Sequence, residues 1–257
     1  MAHRPTRSLQ HEYERYVEQE IEAYKESVPR SVLLGIGDEA VASLAKAEQF
    51  TLTELIVWEE VDRIIARRLR LPSATTWRRR RLKAIEELRR PERWGMSAKH
   101  PLVRGVKDAA ADGIALVAGA VDESPTLYLA ANGRRVTAID AEPDAVDRVI
   151  HAALRAGLTD RIDARVGGLE SWSPDSPLFA VIVSEVALST LTAVERQRVL
   201  ETLQRATVDG GVHLVQALAG RERESLDELR EFYHGWTVQV DHSGSKTSGF
   251  LATKSTH

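Results

Sequence analysis

The sequence predicts an α/β fold, a mostly parallel sheet with an antiparallel last hairpin, preceded by an all-helical region. Three observations carry this. From Gly113 onward, short apolar runs alternate with helical stretches, the pattern of a parallel sheet covered on both faces. The last stretch, "GWTVQVDHSGSKTSGFLATKS", breaks that rhythm and reads as two strands around the turn "SGSKTSG". Residues 1 to about 112 show only helical spacing. The expected division is a helical domain over 1–100 and a sheet domain over 101–257.

In "SLQHEYERYVEQEIEAYKESV", Tyr13, Val17, Ile21 and Tyr24 recur at spacings of three and four, and Pro29 closes the helix. "GDEAVASLAKAEQ" repeats the pattern with Val41, Leu44 and Ala45, and "LLGIGDEA" before it reads as a helix junction. "TLTELIVWEEVDRIIARRLRLP" opens on a capping box, Thr51 with Glu54, and carries Leu55, Trp58, Val61, Ile65 and Leu69 on one stripe. "SATTWRRRRLKAIEELRR" is a further helix ended by Pro91. The short link between these two predicts an antiparallel hairpin. "KHPLVRGVKDAAADG" forms a last helix before the sheet.

The strands are expected at "IALVAGA", "RVTAID", "DARVG", "AVIVSE" and "VHLVQAL". The helices between them are "SPTLYLAANG", "EPDAVDRVIHAALRAGL" and "TAVERQRVLETLQRATVDGG". His213 alternates inside a strand and reads as a packed residue; His234 and His242 have no recognisable partner.

The chain has 257 residues, 43% apolar and 28% charged, with a net charge of −3. It has no cysteine, so disulfides, thiolate metal sites and a cysteine nucleophile are excluded. No run approaches the ~20 apolar residues of a membrane span, and no signal-peptide core opens the chain. A soluble, cytoplasmic protein is expected. No metal-ligand spacing, no G-x-S-x-G and no phosphate-binding G-x-x-x-x-G-K occurs.

In an open α/β sheet, ligands bind beyond the C-terminal ends of the strands. The loop "GAVDES" after the first strand is therefore the first candidate. The second strand ends about 20 residues on at Asp140, where a carboxylate suits ribose hydroxyls. The same Asp140 could instead cap the following helix, and spacing leaves both open.

"ALVAGAVDESPTLYLAANGRRVTAID" resembles the first motif and second strand of class I S-adenosylmethionine-dependent methyltransferases. "AVIVSEVALSTL" is similar to their fourth strand and turn, and "VLETLQRATVDGGVHLV" to their helix, "PGG"-type turn and fifth strand. The likeness spans about 102–254 and implies a Rossmann-like methyltransferase sheet with S-adenosylmethionine as cofactor. It places Gly119 at the first loop glycine, followed by Ala120. Asp140 takes the ribose-binding acid, with Ala141 and Glu142 beside the adenosine. Gly168 and Leu169 lie near the adenine. Ser184 and Glu185 lie where the methyl group is presented, so they are the candidate catalytic residues.

The loop departs from the family at Val117, Val121 and Glu123, where an acid and two glycines are usual, and Gly168 replaces an acid. Val121 is β-branched and disfavours φ > 0. Glu123 puts a carboxylate where the methionine carboxylate would lie, a repulsion of about 1 kcal/mol at ~4 Å in water. Two readings follow: a methyltransferase with an unknown acceptor, or a pseudoenzyme-like scaffold that kept the fold. An N/D-P-P-aromatic signature is missing, which disfavours methylation of a base amino group.

Residues 63–93 carry twelve Lys and Arg against three Glu, a net +9 that the near-neutral total conceals. Arg67, Arg70, Arg78, Arg79, Arg80 and Arg81 are the candidate contacts to an acidic protein partner or RNA. Pairing with the glutamates of the first helix is the alternative.

Overall fold

The computed structural model describes residues 8–46, 54–107, 113–119, 122–218, 229–241 and 247–255. It divides into two compact units, Met1–Ala84 and Ile85–His257. Residues 85–100 belong to the second, where Trp94 and Met96 join the sheet's core.

The first unit contains α1 (Leu9–Ser27), α2 (Arg30–Lys46), α3 (Glu54–Arg68) and most of α4 (Ala74–Arg89), which runs through the division. Ser8 starts α1, its Oγ accepting the His11 N–H at 3.2 Å. Ile21, Ile36, Ala40, Val61, Ile64 and Ile65 form the core, each large side chain contributing about 1.5–3 kcal/mol by leaving water. The segment "LLGIGDEA" is not a junction: Gly35 and Gly37 lie inside α2. Each costs about 1 kcal/mol against alanine there, and Ile36 and Ala40, both fully buried, hold the turn helical. The Thr51 half of the expected capping box lies outside the described residues.

The two basic helices do not pack along each other as a hairpin. α3 packs on α2 and α1, because its apolar stripe faces theirs. α4 buries no residue and reaches α1 through single contacts. The Trp77 ring lies 5.6 Å from Tyr13 and 6.0 Å from Tyr16, and Arg81 Nε meets Glu12 at 3.1 Å. The buried Glu60 holds Arg67 at 2.8 Å and also pairs with Arg63, while Arg68 pairs with Glu39.

The second unit is built on a seven-stranded sheet. The strands are β1 (Ile114–Ala118), β2 (Arg135–Asp140), β3 (Ile162–Val166), β4 (Leu178–Ser184), β5 (Thr207–Leu218), β6 (Trp236–Asp241) and β7 (Thr247–Lys254). Their order is β3-β2-β1-β4-β5-β7-β6. β1 to β5 are parallel, and β7 runs antiparallel between β5 and β6. Helices α5 (Pro101–Lys107), α6 (Ser124–Ala131), α7 (Pro143–Ala156), α8 (Glu185–Ser189) and α9 (Ala193–Ala206) complete it. Both faces are covered, one by Leu127, Leu129, Ala152 and Ala153, the other by Leu188, Val199, Leu200 and Leu203. This explains why β1 and β4 are buried at every position and read as continuous apolar runs. The chain reverses its strand order between β1 and β4, so the crevice at their C-terminal ends is the switch point. No helix among the described residues is long and apolar enough to cross a membrane.

Candidate functional site at the switch point

The crevice is assembled from three chain turns. β1 ends at Ala118, and the Gly119 N–H donates to the Ile139 carbonyl at 2.9 Å, carrying the ladder one residue into the loop. Gly119 has φ +58°, a conformation glycine adopts without strain. A Cβ there would sit 2.6 Å from the Ala187 Cβ and 2.9 Å from the Ser184 Oγ. The end of β4 and the first turn of α8 therefore lie directly on the loop glycine.

That contact fixes the part Ser184 plays. Its Oγ accepts the Ala187 N–H at 3.1 Å as the cap of α8, and the residue is 2% exposed. It packs and caps, and presents no hydroxyl to the crevice mouth. Glu185 follows in the first turn of α8, half-buried.

Asp140 ends β2. Its Oδ1 accepts the Glu142 N–H at 2.9 Å, and its carbonyl accepts the Gly167 N–H at 2.8 Å. The cap position of α7 is Glu142, so Asp140 makes an Asx-type turn just before the helix rather than capping it. Ala141 is exposed. At Gly168 the Glu170 carboxylate occupies the space where a Cβ would point. Leu169 is a core residue beneath α9. Ala120 and Val121 lie outside the described residues.

One small cavity of about 20 Å³ opens here, lined among others by Val117, Asp122, Glu123, Thr126, Asp140 and Arg148. Of the residues expected from sequence to hold a cofactor, it collects Asp140 alone. Gly119 and Ser184 meet each other beside it, and Leu169 is withdrawn into the core. Thr126 and Arg148 were not anticipated. Ala145, Arg148 and Val149 share the cavity at helical spacing on α7, which is the signal that could have found Arg148.

Among the described residues the crevice leaves little open space. A cavity of that size holds about one water, whereas small-molecule sites run to roughly 300–1,000 Å³. The Thr126 Oγ1, 1% exposed, has no hydrogen-bond partner, which suits such a water. Asp122, Glu123, Asp140 and Arg148 line the same cavity, with Asp122 Oδ1 accepting the Ser124 N–H at 2.8 Å, so a methionine carboxylate would meet three carboxylates and one arginine. Val117, 2% exposed, offers no polar group where the family's acid would stand. Among the described residues no three His, Asp or Glu side chains converge to hold a metal ion.

Residues 118–211 match the family model described as a methyltransferase domain. That stretch is less than half of the chain, and it contains the loop, α6 to α9 and β2 to β4. Over that stretch the sheet domain is similar to a methyltransferase domain. No curated protein matches the sequence. Among solved structures, the glycopeptide N-methyltransferase MtfA bound to S-adenosylhomocysteine is 13% identical, with 60% of this chain and 88% of that one covered and a TM-score of 0.48. A putative rRNA-methylase from Clostridium thermocellum is 18% identical over 63% and 99% of the two chains, TM-score 0.49. The N-methyltransferase NodS from Bradyrhizobium japonicum WM9 is 14% identical over 62% and 100%, TM-score 0.45.

Proposed function

We infer that this chain is a methyltransferase-fold protein with an altered cofactor loop, and that it acts by binding rather than by methyl transfer. The observation that supports the reading is the lining of the crevice, where Val117 is apolar and buried and Asp122, Glu123 and Asp140 line one small cavity. The carboxylates of Asp122 and Glu123 oppose the ligand's own carboxylate, and Val117 adds no compensating group.

A second reading has one observation in its favour. Asp140 ends β2 with one carboxylate oxygen anchored to the Glu142 N–H, a posture that orients the other oxygen for ribose hydroxyls. On that reading the crevice admits S-adenosylmethionine, and the protein transfers its methyl group to an acceptor. Calorimetry with S-adenosylmethionine and S-adenosylhomocysteine, using Asp140→Ala as the control, separates the two. The binding reading expects no heat at millimolar ligand. Micromolar affinity that disappears in D140A would overturn it and establish the enzyme reading.

A further inference from the structure

The arginines of the first unit fall into two groups. Arg63 and Arg67 are spent on Glu60, Arg68 on Glu39 and Arg81 on Glu12. Arg78, Arg79, Arg80 and Lys83 are exposed and have no ion-pair partner among the described residues. Helical geometry explains the split. Trp77 and Arg81, four residues apart, share the side of α4 that meets α1. Arg78, Arg79, Arg80 and Lys83 lie around the remaining circumference, with only Leu82, 46% exposed, as an apolar neighbour.

Arg70 adds a second, independent observation. It has φ +52° and is the one described non-glycine residue with positive φ. It stands where a helix usually ends on glycine: Leu71 N–H bonds Ala66 O at 3.1 Å and Arg70 N–H bonds Arg67 O at 3.1 Å, a Schellman-type end. A side chain in that conformation costs roughly 1–2 kcal/mol. Arg70 is exposed and likewise lacks an ion-pair partner among the described residues.

We propose that Arg70, Arg78, Arg79, Arg80 and Lys83 form a docking surface for the phosphate backbone of double-stranded RNA. The surface is carried by the helical unit and does not depend on how the crevice is used. Guanidinium forks match phosphate oxygens in charge and geometry. A protein partner would require apolar anchors at the centre of the contact, and this face offers Leu82 alone. Stacking on unpaired bases would require a free aromatic, and Trp77 is committed to Tyr13 and Tyr16. The narrow, deep major groove of A-form RNA brings phosphates of both strands together, and proteins recognise it by such backbone contacts without reading sequence.

The test is fluorescence anisotropy of the full-length protein with a labelled mixed-sequence RNA duplex over a series of salt concentrations. The expected slope of log K against log salt is about −3 to −4, close to one unit per released counterion. R78Q/R79Q/R80Q should weaken binding about 10- to 100-fold and flatten the slope by about 3. R78K/R79K/R80K should keep the slope, which guards against a mere folding defect. R81Q, already paired, should change affinity less than about threefold. Absence of binding by the parent protein at low salt, or an unchanged slope in the glutamine variant, would overturn the proposal. So would equal binding of a DNA duplex of the same sequence, or equal competition by polyglutamate, which would assign the face to another polyanion.

Discussion

Two polar clusters sit in the same sheet domain and have opposite characters. Around His213 every group is partnered. Its Nε2 lies 2.7 Å from the Thr207 Oγ1 and its Nδ1 2.8 Å from the Tyr233 hydroxyl. Thr207 Oγ1 also donates to the Leu203 carbonyl at 2.7 Å. With that proton committed, Nε2–H donates to Thr207 and the Tyr233 O–H donates to Nδ1, which requires a neutral ring. Burial holds the His213 pKa down to about 3, with the Lys254 charge adding to it, and burial pushes the Tyr233 hydroxyl up. Trp236 covers the ring at 4.8 Å. At the switch point, by contrast, the Thr126 Oγ1 is buried without a partner, and Asp122, Glu123, Asp140 and Arg148 line one small cavity. The first cluster is a closed network beside β5, whereas the second leaves a buried hydroxyl unpaired.

The contrast is open to attack, beginning with the largest effect. His213→Ala leaves a cavity and orphans two buried hydroxyls, so it should cost about 3–5 kcal/mol in urea unfolding followed by tryptophan fluorescence. Asp140→Ala removes one local hydrogen bond and should cost no more than about 1 kcal/mol in the same assay. Equal losses would erase the distinction between the clusters.

The same histidine predicts an acid limit. Its folded pKa of about 3 lies below the ordinary 6.5, so between those values the unfolded chain binds the extra proton. The stabilisation is complete above pH 6.5 and is lost as pH falls towards 3, at up to roughly 1.4 kcal/mol per pH unit. Urea midpoints measured at pH 7 and pH 5 should show this drop, and H213L should show a shallower one.

Gly119→Ala tests the seating of α8 on the loop. A methyl group at φ +58°, 2.6 Å from the Ala187 Cβ, should destabilise the sheet domain by about 2–4 kcal/mol. Near-neutral stability for G119A would show that α8 does not rest on the loop. The smallest effect is a gain: Arg70→Gly should slow hydrogen exchange of the α3 amides, equivalent to about 1 kcal/mol.

Much of the scaffold was legible because local signals and tertiary demands agree. The runs "RVTAID" and "AVIVSE" are apolar since both sheet faces are covered, and each coincides with a strand. Gly157 ends α7 in a left-handed conformation at φ +67°. Less of the site was legible. Asp140 could be singled out by its distance from the loop, but whether Ser184 faces ligand or packs depends on α8, a five-residue helix too short to have a periodicity. Leu169 reads identically whether it covers an adenine or enters the core.

By itself the sequence determined the alternation of strands and helices, the altered loop at Val117, Val121 and Glu123, and the concentration of arginine between 63 and 93. These are properties of neighbours along the chain, where spacing and residue type act directly. Only the tertiary structure decided that Gly35 and Gly37 continue a helix and that α3 and α4 do not pair. It also decided that Ser184 closes on Gly119, and which arginines are paired within the fold. Those outcomes depend on what lies across the fold, since burial and pairing are set by residues far apart in sequence.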